Sequence, residues 1–151
     1  MAKTLIAFFS RADENYFGGA MRYVKIGNTE IVAGIMKELT GADTYKIEMK
    51  DPYSPVYMTC IDEYDTIVLG YPNYWGTFPM ALATFLERYD FTGKTILPLC
   101  TNEGSGMGSS ESDIKKSAKG ATVKNGLAIT GSKAADSKDA VKNWFAANGL
   151  I

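Results

Sequence analysis

The sequence predicts an α/β fold: a doubly wound, mostly parallel sheet of five strands with helices on both faces. Two observations carry this. Short apolar runs alternate along the chain with segments of helical periodicity, the pattern of a sheet covered on both sides. Three loops rich in glycine, hydroxyl, amide and aromatic residues follow the first, third and fourth of those runs, so an open sheet would bring them together at its carboxyl edge. The 151 residues show no composition shift that would mark a linker, and the whole chain, 1–151, is expected to form one domain.

Composition narrows the function. Sixteen Lys and Arg stand against seventeen Asp and Glu, a formal charge of −1, so no strong field points to nucleic acid, a membrane surface or a highly charged partner. Histidine is absent, which makes triad hydrolysis and zinc chemistry poor hypotheses. Cys60 and Cys100 are far apart and lack a CxxC spacing; buried free thiols are the simpler reading, ahead of a redox role. The apolar run at the start is too short for a signal segment or a membrane span, and a cytoplasmic protein is expected.

Taken in order, Thr4 to Phe9 reads as a buried strand ending at Ser10. A long excursion, 12–26, follows, and its Gly18-Gly19 pair between apolar residues suits a two-residue hairpin turn; a projecting β-arm is expected. Gly27-Asn28-Thr29-Glu30 opens a helix with Ile31, Val32, Ile35, Met36 and Leu39 at helical spacing and Gly41 as its stop. Strand, polar loop and helix N-terminus in that order make an anion site, to which Ser10, Asn28 and Thr29 add donors and Arg11 or Lys25 adds charge. Plain capping by Asn28 or Thr29 explains the same residues equally well.

Thr44 to Met49 alternates with charged residues and suits an edge strand. The stretch from Asp51 to Asp65 contains Pro52 and Pro55, which argue against a full helix; extended, it reaches roughly 50 Å, enough for a crossover. Asp65 to Leu69 is a strand buried on both faces, and Gly70-Tyr71-Pro72-Asn73-Tyr74-Trp75-Gly76 is expected to leave it as a loop carrying flat rings. Phe78-Pro79 starts a helix with Leu82, Phe85, Leu86 and Tyr89 on its apolar face. Lys94 to Cys100 is a further buried strand, with Pro98 an awkward member because it lacks a ladder donor. The glycines of Thr101-Asn102-Glu103-Gly104-Ser105-Gly106-Met107-Gly108 allow close approach of backbone to a ligand, with a flexible linker as the alternative, and a helix follows near Ser112 to Ala118. Thr122 to Thr130 reads as a fifth strand broken near Asn125-Gly126. Asp136 or Ser137 caps a last helix bearing Val141, Trp144 and Phe145, with Trp144 read as core.

The three loops divide the labour: the first suits a phosphate, the second supplies flat rings, the third supplies backbone. On these residues the chain resembles the flavodoxin family, and within it small bacterial flavodoxin-like proteins that bind FMN. Ser10-Arg11 with Gly27-Asn28-Thr29-Glu30 resembles the family's phosphate loop, split here by the excursion. The stretch Gly70 to Gly76 is similar to its first flavin loop, and Cys100 to Gly106 to its second.

The resemblance implies a flavodoxin-like five-stranded sheet of order 2-1-3-4-5, with a shortened crossover after the second strand and FMN across the carboxyl edge. It places Ser10, Arg11, Gly27, Asn28 and Thr29 at the phosphate. Pro72, Asn73, Tyr74, Trp75 and Gly76 would flank the flavin ring on one side, and Thr101, Asn102, Glu103, Gly104, Ser105 and Gly106 on the other. Tyr74 or Trp75 would stack on the ring. Two functions follow: an FMN-dependent oxidoreductase passing electrons from NAD(P)H to a quinone-like or other small acceptor, or a one-electron carrier between redox partner proteins. A third reading is an interaction domain with an empty crevice. The near-neutral charge lacks the strong acidity of classical flavodoxins, which favours the enzyme. The arm near Tyr16, Phe17 and Tyr23 could wall the flavin or serve dimerisation. Tyr53, Val56, Tyr57, Met58 and Ile61 could cover the sheet or form a homodimer contact.

Overall fold

Residues 3–48 and 61–151 are described by the structure, a computed structural model. In chain order the elements are β1 (Thr4–Phe8), β2 (Asp13–Phe17), β3 (Ala20–Val24), α1 (Asn28–Thr40), β4 (Asp43–Lys46) and β5 (Thr66–Pro72). There follow α2 (Met80–Arg88), β6 (Thr95–Asn102), α3 (Ser110–Ser117), β7 (Thr122–Val123), β8 (Leu127–Thr130), a 3-10 turn (Gly131–Asp136) and α4 (Lys138–Ala147).

The main sheet runs β4-β1-β5-β6, with β7 and β8 both paired to β6, and every pairing is parallel. β7 lies against Thr95 and Ile96, and β8 against Leu99 to Asn102, so the two are halves of one edge strand interrupted at 124–126. Counted that way the order is the expected 2-1-3-4-5, and the fold is flavodoxin-like. Alternate residues of each strand serve opposite faces. Ile67, Leu69 and Tyr71 of β5 join Leu82, Phe85 and Leu86 of α2 and Ile114 of α3 in one core cluster. Ile6 and Phe8 of β1, with Val68, Leu97 and Leu99, meet Val32 and Met36 of α1 and Val141 and Phe145 of α4 in the other.

Three expectations are corrected by the structure. Gly70, Tyr71 and Pro72 do not leave the sheet: they continue β5 in register with Leu99, Cys100 and Thr101. Tyr71 is fully buried and its hydroxyl donates to Ser110 Oγ at 2.8 Å, while a glycine at 70 leaves room for Phe8 and Thr29 packed above it. The expected buried strand with Pro98 in it is found: Pro98 sits inside central strand β6. Thr95 donates to Asp65 on the β5 side and Ile96 accepts from Lys124 on the other, so by alternation Pro98 faces the interruption between β7 and β8, where no ladder partner waits for its missing N–H.

Pro79 is the N-cap of α2, not its first helical residue. The excursion is a hairpin as expected, with Gly18 and Gly19 both at positive φ (59° and 80°), the geometry of a type I′ turn, but it does not project. Its tip is hydrogen-bonded to the third loop, as described below.

Several boundaries move by a residue or two. β4 starts at Asp43 and α3 at Ser110, and Gly41 ends α1 in the left-handed conformation (φ 67°) as the stop signal implied. Trp144 packs on the second cluster and stacks with Phe145. Most of the crossover, with Tyr53, Val56, Tyr57 and Met58, lies outside the described residues; Ile61, at its end, is buried in the first cluster. Among the described residues no helix is long and apolar enough to cross a membrane, and no group of three or more His, Cys, Asp or Glu could hold a metal ion.

Candidate cofactor cleft

A cleft of about 340 Å³ opens at the carboxyl edge of the sheet, within the size range of small-molecule sites. Its walls are Ser10 and Arg11 after β1, Asn28 and Thr29 of α1, Pro72, Asn73 and Tyr74 at the end of β5, and Thr101, Asn102, Glu103 and Ser105 at the end of β6. Gly131, the first residue after β8, completes it. Sequence reasoning passed over Gly131, although a glycine directly after the fifth strand had to reach the same edge.

At one end the first turn of α1 is left open. Gly27 is its N-cap and has no side chain to cap it, and the one side-chain acceptor for the turn comes from Ser10, so neither Asn28 nor Thr29 plays the plain capping role. Ser10 Oγ accepts the Glu30 N–H at 3.1 Å from across the loop, and Ile31 donates to the Gly27 carbonyl. The Asn28 and Thr29 N–H groups, ahead of these, have no acceptor inside the helix. Two backbone donors, a hydroxyl, an amide and the Arg11 guanidinium around a helix N-terminus form a donor set for a phosphate. Thr29 itself is buried, and its hydroxyl shares a 2.8 Å hydrogen bond with that of Thr101, tying α1 to β6. Gly27 does not line the cleft but makes it: a Cβ there would collide with the Arg11 carbonyl and Ser10 Oγ.

The second loop is a tight turn. Tyr74 and Thr77 exchange both backbone hydrogen bonds (2.8 and 3.2 Å), leaving Trp75 and Gly76 as its two central residues at φ 55° and 86°. Asn73 locks it, accepting the Gly76 N–H and donating to the Gly106 carbonyl, both at 2.9 Å. A tryptophan in the left-handed region is strained, and this one is fully exposed (104%). The turn sets its backbone, but among the described residues no packing covers the ring, which points to a ligand. Tyr74 faces the cleft, edge-on to Phe9 at 6.4 Å, and among the described residues its buried hydroxyl has no hydrogen-bond partner.

Trp75→Gly is therefore expected to move two observables in opposite directions. Relief of about 1 kcal/mol of backbone strain raises the thermal midpoint of the ligand-free protein, while loss of the ring weakens binding of an aromatic ligand about tenfold. Calorimetry and a ligand fluorescence titration check the two halves.

Loops two and three are wired to each other. Ser109 donates to the Gly76 carbonyl at 2.8 Å. Asp113 accepts from the Thr77 and Ser109 hydroxyls at 2.7 and 2.8 Å; these bonds, Thr77 first, hold its carboxyl below the ordinary carboxylate range. A depressed folded value means that the stabilisation is present above the unfolded value of about 3.9 and is lost as pH falls through the folded one. The stability gap between wild type and Asp113→Ala should thus be widest near neutrality and narrow below about pH 4, as urea unfolding across pH would show.

In the third loop Asn102 Oδ1 accepts from both Gly104 and Gly106 N–H, folding the glycines beneath itself rather than into the cleft. Trp75, Gly76, Gly104 and Gly106 thus shape the walls without lining them. Cys100 is fully buried and burial pushes its thiol up to about 12, the state of a core residue rather than a redox thiol.

Parallel doubly wound topology, a helix N-terminus for an anion and an aromatic turn opposite a glycine loop define a nucleotide-type cofactor cleft at a sheet edge. The chain belongs to the flavodoxin family, whose sequence profile matches residues 57–148. No curated protein matches the sequence. Among solved structures the chain is similar to a protein from Bacteroides eggerthii named as a flavoprotein, at 24% identity over 97% of this chain and 98% of that one, TM-score 0.73. It is also similar to oxidised flavodoxin 2 from Bacillus cereus (20% identity, 95% and 100% covered, TM-score 0.57). A third is a flavoprotein in complex with FMN from Lactobacillus acidophilus (17% identity, 88% and 96% covered, TM-score 0.55). FMN is the cofactor that goes with this family. The open α1 terminus, the Gly27 cradle and the strained Trp75 are features of this chain that fit it.

Proposed function

We propose that the chain binds FMN in this cleft and acts as an oxidoreductase, passing electrons from NAD(P)H to a quinone-like or other small acceptor. The exposed left-handed Trp75 opposite the glycine loop is the observation that carries the flavin reading. FMN, when bound, supplies reversible electron and hydride transfer at its ring. The chain's part is to hold and shield it. Ser10, Arg11, Asn28 and Thr29 would take the phosphate, with the α1 dipole adding to the attraction. Tyr74 and Trp75 would cover one face of the ring, excluding water and making added electron density costlier beside an aromatic surface. Thr101, Asn102 and Ser105 would close the other wall, kept in place by the Asn73 and Asp113 hydrogen bonds, with Glu103 toward the phosphate end beside Asn28 and Gly131.

The hairpin is tied back to Glu103, a residue of the cleft wall, which suits a small-molecule site, and the charge of −1 offers no steering field for a basic protein partner. Exposed Trp75 (104%), in the turn after β5, and Met80 (78%), at the start of α2, favour the second reading, a one-electron carrier that docks redox partners on that surface. Anaerobic titration of flavin-loaded protein with NADH and NADPH separates the two, once the released cofactor's mass is shown to be that of FMN. Bleaching of the flavin absorbance is expected. No bleaching, with full reduction by a chemical reductant, replaces the enzyme by the carrier, and absence of any bound flavin overturns both.

A further inference from the structure

The hairpin has both feet at the phosphate end of the cleft, leaving the chain after Ser10 and Arg11 and returning it at Gly27, the N-cap of α1. Its tip is fastened far from them in sequence. Gly18 N–H donates to Glu103 Oε2 at 2.9 Å, and Oε1 of the same carboxylate accepts from Ser132 N–H at 3.1 Å. Gly131 fits between this carboxylate and α1: a Cβ there would lie 2.7 Å from Glu103 Oε1 and 2.5 Å from Asn28 Nδ2. The two strands of the hairpin pair with each other and not with the main sheet. They therefore run from the end of β1 and the start of α1 to the ends of β6 and β8.

Resting on the FMN reading above, we propose that this hairpin is a strap over the phosphate end, that Glu103 is the positioning residue that latches it, and that together they select FMN over FAD. FAD continues from the FMN phosphate into a second phosphate and an adenosine. Those groups must leave the cleft where the strap and Glu103 stand. Admitting them means unfastening the tip, whereas FMN ends beneath the strap and leaves the latch closed. The latch also slows release, because the strap must lift before the phosphate can leave, as with other closing loops.

The test compares wild type, Glu103→Ala, Glu103→Gln and a chain with residues 13–24 replaced by a short Gly-Ser loop, each with its fold checked by circular dichroism. Flavin fluorescence gives the affinities of the cofactor-free protein for FMN and FAD, and a chase experiment gives the FMN release rate. Loss of two hydrogen bonds to a carboxylate in Glu103→Ala should speed release about tenfold and lower the FMN-to-FAD affinity ratio by a similar factor. Glu103→Gln keeps an acceptor oxygen but not the charge, so it should release FMN more slowly than Glu103→Ala while still losing part of the discrimination. The strap replacement should lower the ratio at least as far as Glu103→Ala. A merely structural Glu103 would weaken both flavins alike. An unchanged ratio in folded Glu103→Ala, or a wild-type release rate, overturns the strap and leaves the FMN reading intact; a wild-type chain that binds neither flavin removes both.

Discussion

Gly27→Ala is expected to weaken FMN binding about a hundredfold and to lower the stability of the flavin-free protein by about 2 kcal/mol. The added methyl would overlap the Arg11 carbonyl and Ser10 Oγ, and a backbone carbonyl cannot swing aside as a flexible side-chain tip can. Either the Ser10–Arg11 loop or the entrance of α1 must move. Both moves break the Ser10–Glu30 hydrogen bond and spoil the donor set that faces the phosphate. Gly34→Ala, in the same helix, supplies the control. Gly34 is exposed with nothing within 4 Å of a new Cβ, so alanine there should stabilise by about 0.5–1 kcal/mol and leave affinity alone. A flavin titration and a thermal melt on both variants check the contrast, and equal affinities would count against the α1 terminus as the phosphate site.

Gly108→Ala is expected to destabilise the fold by about 3 kcal/mol, lowering the melting temperature by roughly 6–12 °C for a chain of this size. Two causes add. Gly108 has φ 55°, which costs an L-residue about 1 kcal/mol, and its Cβ would run into the backbone of Gly76 in the aromatic turn. Gly93→Ala isolates the first cause, since Gly93 also has positive φ (77°) but open space around it; about 1 kcal/mol is expected there. Because Gly108 and Ser109 are the third loop's abutment against the second, Gly108→Ala should also weaken flavin binding, which Gly93→Ala should not.

How much of this could be read beforehand differs from element to element. The buried strands, the Gly41 stop, the Gly18-Gly19 hairpin turn and the break near Asn125-Gly126 were legible because each rests on local chemistry: a two-residue period, a residue tolerant of positive φ, a missing side chain. Gly70-Tyr71-Pro72 was misread for the opposite reason. Proline and glycine locally signal a loop, but pairing with Leu99 to Thr101 and burial of Tyr71 against α3 outweigh that preference. Pro98 is tolerated only because its neighbour in space is interrupted, which no window around Pro98 shows. The cleft residues on the first three loops were legible as types at strand ends, whereas Gly131 and the packing role of Gly27 needed the loops in place.

By itself the sequence determined the order of strands and helices, the absence of histidine chemistry and the placement of three polar, glycine-bearing loops at one sheet edge, since periodicity, composition and chain order are properties of the chain alone. Only the tertiary structure decided that the excursion folds back onto Glu103, that Trp75 stands out at a strained turn and that Asp113 binds two loops together. Those outcomes depend on contacts between residues distant in sequence, Gly18 and Glu103 above all, whose geometry is set by how the sheet brings the loop ends together.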